Sequence, residues 1–373
     1  MPSSIRLRVP HVLVSAALSA TVLSGCAADR AVPDAGPPVD VGPAFGGDAG
    51  APPDVRALPY DTWSYVPIPG TECGNGSPAV LGVNPHEGAT EALFVVAGGG
   101  ACWDAASCLD SDAAVHVRED YTRAIFDAEV ALVRSVGWDD RAAPLNPFRT
   151  ANLVFVPYCT GDMHSGDAVQ TYDPGRADQP THHRGGRNMR TFLALLGDAW
   201  PGLATVRAVG FSAGGYGVQF NWGHFAETWP GARLSLLADC APMVEIDGPL
   251  YAIFRSRWNM DTPTGCSACE TSFSAYDDHF DRAHPDSRFG LIASTRDRVL
   301  TGYFGVPDLS ARVASLAVDH LEANPTTRHY IVDSADHVLL GQATTLRSAD
   351  GTLLLDWLLG WLSNDARFHN TRP

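Results

Sequence analysis

The sequence predicts an α/β fold in which a mostly parallel sheet is covered by helices on both faces. Short apolar runs alternate with longer stretches of helical character, and strands buried on both faces of a parallel sheet have this near-continuous apolar composition. The first run leads into three glycines and the third into a serine, as strands that end in tight turns do. The strand candidates are residues 92–97, 152–158, 205–211, 233–239, 288–294 and 328–332, and the helix candidates are 188–200, 214–229, 310–323 and 352–362.

The composition indicates a folded chain and excludes several classes of function. The chain has 373 residues, of which 45% are hydrophobic and 18% charged, so one large domain or two small ones can bury a core. Its formal net charge is −16, and an acidic chain repels the phosphate backbone of nucleic acids. It contains no lysine, which excludes mechanisms that need a Schiff-base lysine or a serine–lysine dyad.

Residues 1–25 have the features of a lipoprotein signal peptide. Arg6 and Arg8 supply positive charge, and the apolar run at 12–23 is too short to span a membrane. The run ends in Leu-Ser-Gly-Cys, which resembles the lipobox of bacterial lipoproteins, in which the cysteine, here Cys26, is acylated. An ordinary cleavable signal with a chance cysteine is the alternative.

A flexible tether is predicted between this signal and the folded domain. Residues 26–57 are rich in Pro, Gly, Ala and Asp and have too few bulky apolar side chains to form a core. The folded domain is therefore placed at 58–373. We expect an exported protein that reaches the cell envelope only through a lipid anchor at Cys26, and the following Ala27 favours the outer membrane by resemblance to other lipoproteins.

A nucleophilic serine is predicted at the end of the third strand candidate. Residues 210–214 read Gly-Phe-Ser-Ala-Gly and lie between a strand candidate and a helix candidate, as in the strand–turn–helix of a nucleophile elbow. Such a turn leaves no room for side chains at Gly210 and Gly214. It also places Ser212 at a helix N-terminus, where backbone N–H groups stabilise negative charge. A small-residue turn without a catalytic role is the alternative.

An oxyanion hole is predicted where the first strand candidate ends in three glycines, residues 98–100. In the α/β-hydrolase fold, a glycine-rich loop after an early strand supplies one backbone donor, and the residue after the nucleophile, here Ala213, supplies another. A phosphate-binding loop is the rival interpretation. The chain lacks the lysine and the glycine spacing of such loops.

The chain order Ser, acid, His that is usual in this fold predicts the base of a catalytic triad. His337 fits because it lies in a loop just beyond the last strand candidate. The other histidines that follow the serine lie within or beside predicted elements, before the fifth strand candidate or at the C-terminus. They are His224, His279, His284, His320, His329 and His369.

The triad acid is expected in the loop after the fifth strand candidate, where Asp297 lies. Its carboxylate would hold the imidazole in the right tautomer while the base takes the serine proton. A surface ion pair with Arg296 or Arg298 is the alternative for Asp297, and Asp308 and Asp336 are the alternative acids.

The cysteines predict disulfides in an exported protein. Cys102 and Cys108 bracket a short loop after the glycines, so a bridge there would stiffen the oxyanion hole. Cys266 could pair with Cys269, which would leave Cys240 as a free, buried thiol. A small zinc site is the rival interpretation of the second pair, with the spacing C-x₂-C-x₉-H-x₄-H completed by histidines 279 and 284.

For some polar and aromatic residues, both a functional and a structural role are compatible with the sequence. His164 follows a strand and could line the pocket or make structural hydrogen bonds, and His182 and His183 precede a helix. The aromatic residues Trp222, Phe225 and Trp229 are expected in the core rather than on a sugar-binding surface.

Together these segments resemble the pectin acetylesterase/Notum family of carboxylesterases. The resemblance covers residues 98–108, 146–167, 182–188 and 210–222 and the regions around the predicted acid and base. It implies Ser212, Asp297 and His337 as the triad, Gly99, Gly100 and Ala213 as oxyanion donors, and a Cys73–Cys159 disulfide. Plant and animal members carry a tryptophan shortly before the cysteine that matches Cys102, where this chain has Gly100 and Ala101. That difference changes the wall of the acyl pocket.

These observations predict a serine carboxylesterase that removes short acyl groups, above all acetyl, from a saccharide or polyol. We expect a monomer that needs no cofactor or metal and binds no nucleic acid. An esterase of lipids or polyesters is the alternative enzyme, because the missing tryptophan could open a larger acyl site. An inactive glycan-binding surface lipoprotein is the alternative of a different class.

Overall fold

The computed structural model describes residues 53–135, 137–138, 141–143 and 146–373. The predicted signal peptide, the lipidation site Cys26 and nearly all of the predicted tether lie outside the described residues. Among the helices of the described residues, none is long and apolar enough to cross a membrane.

An eight-stranded sheet forms the centre of the structure, with the strand order β1-β2-β4-β3-β7-β8-β9-β10. The last six strands in this order run parallel, whereas β2 is antiparallel to both of its neighbours. A separate antiparallel pair, β5 and β6, lies outside this sheet. The strands are β1 (Ser64–Pro67), β2 (Val80–Asn84), β3 (Glu91–Val96), β4 (Asn152–Val156), β5 (Ala168–Gln170), β6 (Thr181–His183), β7 (Thr205–Phe211), β8 (Arg233–Asp239), β9 (Arg288–Ser294) and β10 (Thr327–Val332).

The connections between the parallel strands contain helices, and the parallel strands are almost entirely buried, as in a sheet covered on both faces. This arrangement confirms the predicted α/β-hydrolase fold. The helices are α1 (Ala105–Cys108), α2 (Arg123–Ser135), α3 (Gly185–Ala199), α4 (Ala213–Phe220), α5 (Trp222–Thr228), α6 (Leu250–Trp258), α7 (Ala275–Ala283), α8 (Arg298–Phe304), α9 (Leu309–Leu316) and α10 (Leu354–Ser363).

The strand predictions agree closely with the structure because the parallel strands are nearly continuous apolar runs. The predicted strands at 205–211, 233–239 and 288–294 have the observed bounds, and the other three differ by one or two residues. The predicted aromatic core residues Trp222, Phe225 and Trp229 are buried.

Two sequence predictions differ from the structure. The single helix predicted at 214–229 is two helices, because the Asn221 side chain at the break donates hydrogen bonds to the carbonyls of Gly217 (2.8 Å) and His164 (2.9 Å).

The predicted tether end at residue 57 lies too far along the chain. Val55 is already only 1% exposed within a 3₁₀ turn, so packing begins before residue 58.

The cysteine pairings agree with the predictions. Disulfides join Cys73 to Cys159, Cys102 to Cys108 and Cys266 to Cys269, and Cys240 is free and buried. The last of these bridges uses two thiols that the rival zinc site would need as thiolate ligands.

Candidate active site

Ser212 lies in a strained turn between β7 and α4. Its backbone has φ 54° and ψ −127°, a conformation that side chains rarely adopt outside functional sites. The flanking glycines make the turn possible: a Cβ on Gly210 would lie 2.1 Å from the carbonyl oxygen of Gly214, and a Cβ on Gly214 would lie 2.1 Å from that of Val96. The predicted elbow is therefore present, with the serine at the start of a helix.

Ser212, His337 and Asp297 form one chain of hydrogen bonds. The Nε2 atom of His337 lies 2.7 Å from the Ser212 Oγ atom, and its Nδ1 atom lies 2.7 Å from the Asp297 Oδ2 atom. The carboxylate can only accept, so Nδ1 carries the proton and Nε2 is left to accept from the serine hydroxyl. This is the arrangement in which an imidazole can act as a general base toward the serine.

Asp297 is held in place by the helix that follows it. Its carboxylate is fully buried, and the Oδ1 atom accepts the N–H groups of Val299 (2.9 Å) and Leu300 (3.0 Å) at the start of α8. The alternative acids lie elsewhere: Asp308 pairs with Arg312 at 2.9 Å, and Asp336 accepts from Gln342 at 3.3 Å. The neighbouring Arg296 pairs with Asp333 rather than with Asp297.

Among the histidines that the structure describes, His337 is the one hydrogen-bonded to Ser212. Three of the other histidines considered as the base have carboxylate partners of their own. These pairs are His320 with Asp278, His329 with Glu322 and His369 with Asp350. His224 lies 3.6 Å from Glu227. The remaining competitors, His279 and His284, contact the ring of Phe280.

The glycine loop lies against the elbow and offers unpaired backbone donors. A Cβ on Gly98 would come within 3.0 Å of both the Ala213 nitrogen and the Ser212 Cβ atom. Within the described part of the chain, the N–H groups of Gly99, Gly100 and Ala213 have no hydrogen-bond acceptor. The loop is instead fixed through its other atoms, since the Gly99 carbonyl accepts the Val115 N–H at 2.9 Å. These free donors are the groups that an oxyanion hole requires.

A small apolar pocket opens beside the Ser212 hydroxyl. Its volume is about 20 Å³, which is room for about one water-sized group. Its walls come from the glycine loop, the elbow and α8, together with one methionine that the sequence analysis did not select. The lining residues are Gly100, Met163, Ser212, Ala213, Tyr216, Val299, Leu300, Tyr303 and Phe304.

The segment 160–167 contributes Met163 to this pocket. Met163 and His164 both have positive φ angles, and the turn is held by the buried carboxylate of Asp162, which accepts four hydrogen bonds from its surroundings. Burial raises the pKa of Asp162 to about 6 and lowers that of His164 to about 4. His182 and His183, which precede α3, make structural hydrogen bonds. His182 bonds to Glu72, and His183 bonds to Thr160 and Tyr172.

The free thiol of Cys240 lies beside the hydrogen-bond chain. Its sulfur, a carboxylate oxygen of Asp297 and a ring nitrogen of His337 all lie within 4.8 Å of one another. Burial raises the pKa of this thiol, so it is a neutral neighbour of the site.

The comparison with protein families agrees with this geometry. The family model described as Pectinacetylesterase matches residues 66–247, a segment that contains the glycine loop, the nucleophile elbow and the Cys73–Cys159 bridge. Asp297 and His337 lie beyond the matched segment and are brought to it by the fold. No curated protein matches the chain. The match, over just under half of the chain, assigns residues 66–247 to the pectinacetylesterase family of carboxylic ester hydrolases.

Proposed function

We propose that the protein is a serine esterase that removes short acyl groups, above all acetyl, from a saccharide or polyol. The observation that carries the proposal is the continuous hydrogen-bond chain from Ser212 through His337 to Asp297, with 2.7 Å at each step. The family match supports an esterase of the pectin acetylesterase type, and the triad and the substrate are the parts proposed here.

In the acylation step, the Ser212 Oγ atom attacks the ester carbonyl carbon while His337 Nε2 takes the hydroxyl proton. The buried Asp297 carboxylate stabilises the imidazolium that forms. The negative charge on the carbonyl oxygen is accepted by the free N–H groups of the glycine loop and Ala213, and removing one such donor costs about 3–4 kcal/mol in related sites. The imidazolium then protonates the departing alcohol oxygen, which leaves the acyl group on the serine.

In the deacylation step, His337 takes a proton from a water molecule that attacks the acyl-enzyme carbonyl. The same backbone donors hold the second oxyanion. Collapse of this intermediate breaks the bond to the Ser212 oxygen, returns the proton to the serine and releases the carboxylic acid. No step needs a redox change or a group beyond water and these residues.

The size of the pocket favours a short acyl group. A volume of about 20 Å³ accommodates an acetyl methyl beside the Ser212 hydroxyl. The walls Met163, Tyr216 and Phe304 are each at least 96% buried, so they are packed against the core rather than free to swing away.

The test is hydrolysis of p-nitrophenyl acetate, butyrate and octanoate by the wild-type chain and by Ser212→Ala. We expect fast acetate turnover that is lost in the variant, together with covalent labelling of the wild type alone by a fluorophosphonate. A preference for octanoate would move the substrate to lipids or polyesters. Equal turnover by both chains would refute the esterase mechanism and favour the glycan-binding alternative.

We also propose that the protein acts as an exported lipoprotein monomer attached through Cys26. The support is the signal-like sequence before it and its lipobox resemblance. Labelling with an alkyne fatty acid in a bacterial host should modify the wild type and leave Cys26→Ala unlabelled. Equal labelling of both chains would contradict the anchor.

A further inference from the structure

Asp239, at the end of β8, contacts both halves of the proposed active site, although the sequence analysis gave it no role. Its backbone carbonyl accepts the N–H of Ser212 at 2.9 Å. Its carboxylate accepts the N–H of Leu339 at 3.0 Å through Oδ1 and that of Leu340 at 2.8 Å through Oδ2. The residue is fully buried. One residue therefore joins the nucleophile turn, through its backbone carbonyl, to the segment that carries His337, through its carboxylate.

The segment after His337 needs such a restraint. Val338 has φ 64°, in the left-handed region, where a β-branched residue is a true outlier. Backbone strain of this kind persists only where the surroundings hold it. The two N–H groups that Asp239 accepts belong to the next two residues, so its carboxylate fixes the strained turn directly behind the imidazole.

We propose that Asp239 is a positioning residue that holds the strained turn at Val338 and thereby aims the His337 imidazole at Ser212. This inference rests on the proposed function. The carboxylate does not touch the reacting atoms, and its effect passes through the backbone of Leu339 and Leu340.

The charge of Asp239 adds to this role. Burial raises its pKa to about 6, and the charge of the nearby His337 opposes that rise. An ionised Asp239 therefore favours the imidazolium that forms when the serine gives up its proton. The other ionisable neighbours of this carboxyl are the Cys240 thiol and, beyond it, Asp297.

The test compares Asp239→Asn with Asp281→Asn in the full chain. Asp281 is a matched control: it is buried, its pKa is also raised to about 6 by burial, and its carboxylate accepts a hydrogen bond from the Thr327 hydroxyl at 2.9 Å. In Asp239→Asn, the amide nitrogen cannot accept a backbone N–H, so one bond to the turn is lost. We expect kcat for p-nitrophenyl acetate to fall roughly 10- to 100-fold with KM within about twofold, since small misplacements of catalytic groups cost this much.

Relief of the strain at Val338 provides a second measurement. Glycine adopts positive φ freely, so Val338→Gly should relieve the turn that Asp239 restrains. We expect the Asp239→Asn/Val338→Gly double variant to recover several-fold in kcat over Asp239→Asn alone, whereas a merely structural loss would be additive. The low-field proton resonance of the His337–Asp297 hydrogen bond should weaken in Asp239→Asn and persist in Asp281→Asn.

The outcomes separate this inference from the function on which it rests. If Ser212→Ala keeps turnover, the proposed function fails and this inference fails with it. If Ser212→Ala is inactive but Asp239→Asn has wild-type kcat, or loses no more than Asp281→Asn, only the role of Asp239 is overturned. Should Asp239→Asn fail to fold, Asp239→Glu keeps both acceptors but displaces the turn, and wild-type kcat in that variant would equally overturn the proposal.

Discussion

The His164 imidazole holds the carbonyl of Ala97, the residue at which β3 becomes the glycine loop. The Nε2 atom lies 2.8 Å from the Ala97 oxygen, and because a carbonyl only accepts, Nε2 carries the proton and donates it. The ring fits in this position because α4 has a glycine there: a Cβ on Gly217 would lie 2.7 Å from the ring. The imidazole therefore fixes the start of the loop whose N–H groups face the pocket.

Loss of this hydrogen bond should impair turnover more than substrate binding. In His164→Leu, the Ala97 carbonyl loses its donor and the glycine loop can shift, so we expect kcat to fall about 10-fold or more with KM little changed. His164→Gln should be closer to wild type, because its amide N–H can reach the same oxygen. Steady-state kinetics with p-nitrophenyl acetate measures both.

His183→Leu provides the control for this pair. His183 is also buried and bonded to a backbone carbonyl, but its partner is Thr160, at 2.9 Å, and not the Ala97 carbonyl that begins the glycine loop. Its variant should lose stability without a comparable loss of kcat. An equal drop in both variants would show that general destabilisation, and not the glycine loop, explains the effect.

The pKa of His164 predicts how stability changes with pH. Burial lowers this pKa to about 4, below the value of 6.5 that an exposed histidine has, so the folded state disfavours the charged ring. The corresponding stability is fully present above about pH 6.5 and is lost as the pH falls toward 4. Between pH 7.5 and pH 4.5, the stability advantage of wild type over His164→Gln should shrink by about 2.5 kcal/mol. Urea unfolding at both pH values tests this, and a constant difference would contradict it.

Much of the fold could be predicted because burial on both faces makes parallel strands visible as apolar runs. The nucleophile elbow and the glycine loop were equally accessible, since each is a local pattern attached to such a strand. The predictions of His337 and Asp297 used only chain order and strand ends, and the fold brings both within hydrogen-bond distance of their partners.

Other features depend on contacts between distant segments and leave little local signal. Asp239 ends an apolar strand, and only its bonds to Leu339 and Leu340, a hundred residues later, distinguish it from an ordinary strand end. Met163 and Tyr303 reach the pocket from separate loops and helices. Asn221 interrupts a helix whose apolar pattern continues across the break, because its amide bonds to His164 in another segment.

Leu300 is expected to limit the length of the acyl group. It lines the pocket and is 4% exposed, while its backbone N–H, which binds Asp297, is unaffected by a side-chain change. In Leu300→Ala, the ratio of butyrate to acetate kcat/KM should rise about 10-fold, because each methylene in a pocket is worth roughly 1–3 kcal/mol. Leu309→Ala, which truncates a buried leucine away from the pocket, should leave the ratio unchanged. A similar shift in both variants would refute this assignment.

Removal of one disulfide should mainly lower stability, whereas removal of the other should mainly lower activity. Cys73 and Cys159 are 86 residues apart, whereas Cys102 and Cys108 are 6 apart, so chain entropy predicts losses of about 4–5 and about 2 kcal/mol on their removal. The shorter bridge lies directly after the glycine loop, and its loss should lower kcat more. Urea unfolding and turnover of the two paired alanine variants test this. If the Cys102/Cys108 variant keeps wild-type kcat, the bridge does not support the oxyanion hole.

The Cys240 thiol should be inert in the folded protein and reactive only after unfolding. It is fully buried and its pKa is raised by burial, whereas alkylation requires an exposed thiolate. In a Cys26→Ser chain, iodoacetamide should modify Cys240 only in denaturant, with a protection that follows the unfolding curve. Protein alkylated in urea and then refolded should lack esterase activity, because the added group has no space beside Asp297 and His337. Rapid labelling of the native chain would show instead that solvent reaches the back of the proposed triad.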